Sequence, residues 1–437
     1  MKAAETVTRP HMSTFRQILL SFYWFSTNLM WAAILIITMP SQIKAAVGND
    51  AKGSALGLAL GAGAFISMLA APVFGALSDR IRLPGGRRKP WIVIGTVGTI
   101  ISLFGLAYLA EPGRPESLIG WSIAFIFWEL FNNIATAPFS ALIPDLVSQE
   151  QRGAASGWLG LMTMLGTFAG GLTGFMVAPL GIASVYYVMV GAMVIGCLVT
   201  VFGVREPDLP REIQPFEFRE FLGSLAHPFR NSDFTWVLLT RLLVTMGIFT
   251  VQEFIQYYMA DVIGAPYVLA GLGQVADTAE SAVSFFLPAL LVGAIITTLL
   301  AGVLSDKYGR KPLVYISGAL MGAVCLVFVL FHSFTLAVLM GVVFGLGYGA
   351  YESVDWALVS DVLPSVDDYA KDMGVWHVAM VLPQVIATPI AGFMLDNFQK
   401  VGAAQNLPNL GYTVIFMLAV LYFILGTVFV KQIKAVR

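Results

Sequence analysis

One acid and two amides share an apolar stretch of the chain: Glu129, with Asn132 and Asn133 three and four residues on. In a helix these positions fall on one face. A charge in the middle of a membrane costs about 3 kcal/mol or more unless it is paired or hydrated, so each one needs a reason. A carboxyl beside two amides suits a polar cavity, where it can take up and release a proton as access changes. The competing role is a structural hydrogen bond to another helix. A second apolar stretch holds Arg241, Gln252, Glu253 and Gln256. Arg241 and Glu253 lie about 18 Å apart along a helix and cannot pair with each other. Gln256 and Glu253 can donate to and accept from a hydroxyl-rich ligand, with Tyr257 as an apolar platform; an outer gate or a helix contact is the alternative. A third face carries Tyr348, Tyr351, Glu352 and Asp355 at i, i+3, i+4 and i+7. Like charges one turn apart disfavour joint ionisation. One of these acids is then protonated or paired with Arg241, as a second proton site or as a salt-bridge network. Arg241 itself suits Glu129 or Asp355 as a counter-ion, or snorkels to the inner surface. Trp24 and Asn28, with Trp31, form a stripe that suits stacking against a hydroxylated ring, or a helix contact.

Positioning such residues takes long apolar helices. Of 437 residues, 57% are hydrophobic and 12% charged, against about 25% charged in a soluble chain. Apolar runs of roughly twenty residues or more can cross a hydrocarbon core about 30 Å thick. The ~10-residue alternating segments of a membrane barrel are absent. The expected fold class is therefore an all-α membrane protein of twelve spans. They lie at roughly 16–40, 54–78, 90–110, 118–143, 153–177, 183–204, 233–260, 281–304, 313–331, 335–360, 373–395 and 411–431. Of the 25 Lys and Arg residues, only Lys44, Lys52, Arg114 and Lys400 fall on outer loops, and only Arg241 inside a span. That bias places both termini in the cytoplasm and the chain in the cell membrane as a multi-pass protein. The polar first ~14 residues lack the short apolar core and cleavage site of a signal peptide, so they are expected to be retained.

Other chemistry finds no support. Cys197 and Cys325 sit in apolar helices as small buried thiols. There is no metal-ligand cluster, no phosphate-binding glycine loop and no nucleophile elbow. The expectation is no enzyme, no cofactor, no metal and no nucleic acid. The partners are a small-molecule solute and the bilayer, and the monomer is expected to function alone.

The chain repeats itself. Gly75-Ala-Leu-Ser-Asp79-Arg80, at the end of span two, returns as Gly302-Val-Leu-Ser-Asp306-Lys307 at the end of span eight. Asp145 ends span four and Asp361 ends span ten. Gly157-Trp158 opens span five, and Gly374-Val-Trp376 opens span eleven. Features that return six spans later in one orientation mark a parallel duplication about an axis along the membrane normal. The domains are then 1–204 and 233–437. The Pro-rich charged linker 205–232 joins them on the inner side and suits a short interfacial helix or a solvated tether. The charged hairpins suit an inner gate, with fixing of topology alone as the competing role. Asp79, Arg80, Arg87 and Arg88 would latch near Asp145 and Arg152; Asp306, Lys307 and Arg310 would latch near Asp361. The six glycines of span five, Gly157, Gly160, Gly166, Gly170, Gly171 and Gly174, suit close helix packing.

The second hairpin, Gly302, Asp306, Lys307, Gly309, Arg310, Lys311, resembles the inner-loop signature of the major facilitator superfamily, and the likeness extends over essentially the whole chain. The first hairpin, with Ser78-Asp79-Arg80 and then Gly86-Arg87-Arg88-Lys89-Pro90-Trp91-Ile92, resembles the sucrose–proton and glycoside–cation symporter branch. Span four does too, with its intramembrane acid, the Asn132-Asn133 pair, Pro138 and Asp145. The resemblance implies two six-helix domains rocking about a central cavity. It also implies proton-coupled, or sodium-coupled, symport of a sugar or glycoside, with Glu129 where those proteins hold their coupling acid. Asp355, Glu352 and Arg241 would join in coupling; Trp24, Asn28, Asn132, Asn133, Glu253, Gln256, Tyr257 and Tyr351 would line the site. Two positions depart from the pattern. Ser140 stands where the family has an arginine, and span seven lacks the charged pattern at its outer end. The same acids would serve a proton antiporter exporting drugs or metabolites. A non-transporting sensor or scaffold on this fold would tolerate their neutralisation.

Overall fold

Single glycines set several helix ends. Gly181 (φ 76°) and Gly309 (φ 94°) each turn the chain between antiparallel spans in a conformation that glycine adopts freely. The computed structural model describes residues 11–81, 83–204, 206, 232–362 and 369–434. Side chains are described within these except at 144, 149, 299, 302, 303, 306, 356, 357, 359–362 and 369–379. Twelve long helices result. The first six are α1 Thr14–Val47, α2 Lys52–Arg80, α3 Lys89–Leu109, α4 Ser117–Ser140, α5 Arg152–Leu180 and α6 Ile182–Gly203. The second six are α7 Ser232–Ile263, α8 Ala279–Tyr308, α9 Arg310–Leu330, α10 Phe334–Val362, α11 Tyr369–Ala404 and α12 Leu410–Gln432. All but α11 contain a stretch apolar and long enough to cross a membrane, and α11 begins among side chains that are not described. The protein is an all-α membrane bundle, with a short antiparallel hairpin between α7 and α8, β1 Tyr267–Leu269 and β2 Gly273–Ala276.

Packing repeats with a period of six helices. In the first half α1 packs on α5 and α6, α2 on α4, and α3 on α4 and α6. In the second half α7 packs on α11 and α12, α8 on α10, and α9 on α10 and α12. The halves meet chiefly through α2 against α11 and α5 against α8, two contacts that the same period interchanges. Residues such as Ile101 and Phe202 project outward, as expected where lipid rather than water surrounds the bundle. The two leading helices are irregular. A π-helical stretch, Ala33–Thr38, interrupts α1. In α7 a turn at Glu253 and Phe254 precedes a π-helical stretch, Met259–Ile263. Such departures from α-helix recur at functional sites. The linker residues 205 and 207–231, where an interfacial helix is expected, lie outside the described residues.

Candidate functional site

Both described chain ends lie on one face of the bundle, here the terminal face. At the opposite face the seam between the halves is closed, and glycine makes the closure possible. A Cβ on Gly57 would stand 2.2 Å from the Thr388 carbonyl oxygen, and one on Gly392 would stand 2.1 Å from that of Gly53. Gly61 abuts Pro389 in the same way. The spacing of Gly53, Gly57 and Gly61 puts one bare stripe of α2 against α11. Across the other arm of the seam, Ser284 donates to the Gly171 carbonyl at 2.7 Å, and Gly174 sits against the Glu280 carbonyl.

Polar contacts complete this closure. Lys44 donates to Asp261 at 2.9 Å, and Lys52, 3% exposed, also pairs with Asp261, which accepts from Tyr412 at 2.5 Å. The Lys52 ammonium lies 5.1 Å from the Tyr257 ring centre. Tyr257 donates to the Pro40 carbonyl at 2.9 Å, Gln256 donates to Ser41 at 2.6 Å, and Ser41 also bonds Glu280. Gln256 and Tyr257, expected around a mid-membrane ligand, are thus placed in the seal at the opposite face. They line a cavity of about 460 Å³ at its mouth, together with Lys44 and Glu280. The physical reason is the closure itself, which presses α1 and α7 together at this level. In the hairpin, burial and the negative charges of Glu280 and Asp261 push the Tyr267 phenol up to about 12. It stays a neutral donor, bonded to the Met259 carbonyl at 2.9 Å.

Deeper in the bundle, Arg241 forms an ion pair with Asp355, the two being 2% and 3% exposed. Tyr351 donates to Asp355 at 3.3 Å. Of the partners that suit Arg241, the fold therefore selects the acid on α10, within its own half. Glu129 is 2% exposed, and its Oε2 has no hydrogen-bond partner among the described residues. Its Cγ would stand 3.1 Å from a Cβ on Gly63, so α2 comes close only because that position is bare. Asn133 is tied down: its amide donates to Ser67 at 3.0 Å and to the Glu129 carbonyl at 2.8 Å. Asn132 is buried with its side-chain oxygen unpartnered among the described residues. Glu253 sits at the break in α7, 2% exposed; Gln384 donates to one oxygen at 3.4 Å and the other has no partner among the described residues. Trp24 stacks on Phe139 with ring centres 5.8 Å apart, and the Asn28 amide donates to the Trp24 carbonyl at 2.7 Å.

Below the seal, a cavity of about 420 Å³ lies between α5 of one half and α7, α8 and α10 of the other. One wall is polar, with Thr163, Thr167, Gln252, Thr298, Tyr348, Glu352 and Ser353; the other is Leu287, Leu290, Leu291 and Phe344. Of the residues expected to bind or couple, Glu352 alone lines it. Gly160 lines it as well, and neither Gly157 nor Gly160 has a described atom within 4 Å of an added Cβ. The expectation of close packing is corrected for these two glycines. Gly166 and Gly170 do pack on α1, and Gly171 and Gly174 on α8.

The charged hairpin gathers within the first half. Arg88, 3% exposed, reaches Asp79 at 2.6 Å, Asp145 at 3.1 Å and Ser78 at 2.5 Å, and Arg87 also pairs with Asp79. Glu206 accepts from the backbone N–H groups of Arg87 at 2.7 Å, Arg88 at 3.0 Å and Lys89 at 2.7 Å, an acid at the positive start of α3. Arg80 ends α2 and Arg152 opens α5, and neither is free. Among the described residues of the second half, Arg310 reaches Ser305 as Arg88 reaches Ser78, and Lys307 lies 5.3 Å from the Tyr308 ring centre. The side chains of Asp306 and Asp361 lie outside those described. The bonds described for Asp79, Arg87, Arg88, Asp145 and Glu206 tie helix ends of the first half to one another, and they bring together four of the residues expected in the inner gate.

Asp261 and Glu280 belong to the outer loop, about 261–280, that the sequence offers as a cover for the outer mouth, whereas Lys44 and Lys52 read only as outer-loop charges and their partners were not legible. The four-residue glycine spacing of α2 was the available signal for the seam.

Two six-helix halves, closed together at one face around interior acids and a cavity, are the architecture of a carrier that alternates access. The family model described as MFS/sugar transport protein matches residues 48–431; the chain belongs to that family, and it is a secondary transporter rather than an enzyme. It is 25% identical over 378 residues to the sucrose transport protein SUC4 of Arabidopsis thaliana, covering 74% of this chain and 73% of that one. Its fold is similar to a mutant of the nucleoside transporter NupG (TM-score 0.75, 14% identity, 96% of this chain and 100% of that one). It is also similar to a D-xylose–proton symporter (TM-score 0.72, 16% identity, 96% and 99%).

Proposed function

We propose that this transporter moves a sugar or glycoside together with protons, toward the side that bears its termini. That side is the cytoplasm by the distribution of Lys and Arg. The observation that carries the reading is Glu129, a carboxyl buried among helices with one oxygen unpartnered among the described residues. An ionised carboxylate without a cation is strongly disfavoured in such a place. The acid therefore holds a proton in this state and releases it when the cavity changes access. Arg241 and Asp355 compensate each other within the second half. The polar wall of hydroxyls, Gln252 and Glu352 supplies the donors and acceptors that a sugar edge needs, and the name of the sucrose-transporting relative points the same way. The carrier acts as a monomer.

The test is uptake into proteoliposomes under an imposed pH gradient. Glu129→Gln should keep exchange of labelled sugar across the membrane and lose accumulation against a gradient. Full accumulation by that variant would rule out the coupling role. A second reading, proton-coupled export of an amphipathic compound, draws on the wall of Leu287, Leu290, Leu291 and Phe344. A thermal-shift screen against sugars, nucleosides and cationic drugs separates the two, because a ligand raises stability by mass action.

A further inference from the structure

The start of α2 is capped from the other half of the molecule. Ala51, at the N-cap position, has no side-chain acceptor and makes no capping bond. Asp396 of α11 takes that role instead. It accepts from the Gly53 N–H at 2.9 Å and from the Ser54 N–H at 2.7 Å, and it bonds the Ser54 hydroxyl. The geometry requires glycine at 53, where a Cβ would stand 2.7 Å from the Asp396 oxygen and 2.8 Å from the Gly392 carbonyl. Asp396 is 5% exposed and has no ion-pair partner among the described residues. Its charge is met by these N–H groups and the positive end of a 29-residue helix. The six-helix duplication offers a comparison. Helix α8, the counterpart of α2, carries its own cap, Thr278, which accepts from the Ser281 N–H at 3.3 Å.

We propose that Asp396 is a positioning residue of the transport cycle: closing the opposite face completes the cap of α2 across the seam, and opening it leaves that helix uncapped. The two halves are unequal in this respect, because the cap of α8 is local. The free energy of one cap then belongs to the closed state alone, and it is set by residues that touch no solute. The proposal rests on alternating access, whatever solute is carried.

The experiment uses the full-length protein in lipid nanodiscs, with spin labels on Glu116→Cys and Lys400→Cys reporting separation of the halves at the opposite face. Asp396→Ala should raise the ratio of open to closed distances about fivefold, the size of one helix cap. Ala51→Asp, at an exposed loop position, should shift the ratio the same way, because a local acceptor competes with Asp396 and repels it. Amide exchange adds a readout that loss of packing would not give. The Gly53 and Ser54 amides should lose protection in Asp396→Ala and regain it when Ala51→Asp is added, while the halves stay open. Unchanged distances in both single variants would overturn the proposal. A shift with Asp396→Ala but none with Ala51→Asp would overturn capping as the cause.

Discussion

Replacing one member of the Arg241–Asp355 pair should be far more damaging than replacing both. The two residues are 2% and 3% exposed, and the Tyr351 hydroxyl donates to Asp355 at 3.3 Å. Removing one partner of a buried pair strands the other charge, at about 3–5 kcal/mol. Arg241→Met should sit in that range. Asp355→Asn, which keeps volume and some hydrogen bonding, should sit near its lower edge. Arg241→Met with Asp355→Leu should return to within about 1–2 kcal/mol of the parent, because no charge is stranded. The coupling between the two sites would then be about 3 kcal/mol or more. With a six-helix half as the unfolding unit, a loss of 4 kcal/mol lowers the midpoint by about 8–16 °C. Thermal unfolding in detergent, followed by intrinsic fluorescence, reads this directly. Proton-driven uptake by the same variants completes the test. If Asp355→Asn is as stable as the parent but no longer couples to protons, Asp355 is a coupling acid and the ion-pair reasoning fails.

Other substitutions probe the seam and the hairpin. Gly57→Val puts a Cβ within 2.2 Å of the Thr388 carbonyl; it should hold the opposite face open by about 2 kcal/mol or more. A cysteine replacing Ala260, at the mouth of the seal, should then react faster with an impermeant maleimide, and an unchanged rate would show that the glycine stripe is dispensable. Arg88→Met should cost about 2 kcal/mol, below a fully buried pair because Asp79 keeps Arg87 and is 49% exposed. Lys89→Met should leave the unfolding midpoint alone, since Lys89 serves Glu206 through its backbone N–H; equal losses in the two would refute the assignment.

The spans were legible because their signal is local. Twenty apolar residues bounded by Gly, Pro and charge allow little else, and the observed helices begin and end within a few residues of expectation, apart from the longer ends of α1 and α11. The duplication was legible as a repeated motif, and it reappears as Arg88 and Arg310 each reaching the serine before the aspartate. What sequence could not tell was which neighbour each buried charge would meet. Spacing along α7 places Arg241 at a height, but only packing decides that it faces α10 and not α4. The loop that covers the outer mouth was legible, but its pairings were hidden for a similar reason. Lys52 and Asp261 are 209 residues apart and sit where charges normally meet water. Glu253 and Gln256 have the chemistry of a hydroxyl-binding site, yet the break in α7 carries Gln256 into the seal and leaves Glu253 beside Gln384.

The bare stripe on α2 also bears on how fast the halves can move. Where Gly53, Gly57 and Gly61 meet Gly392 and the Thr388 carbonyl, the contact surface is largely main chain. Parting it frees few rotamers, and rejoining it freezes few, so little side-chain entropy is exchanged in either direction. This arm of the joint behaves as a dry bearing. Resistance to turning is left to the ionic clasp of Lys44, Lys52 and Asp261 and to the Asp396 cap of α2, whose members must gain and shed water at every stroke.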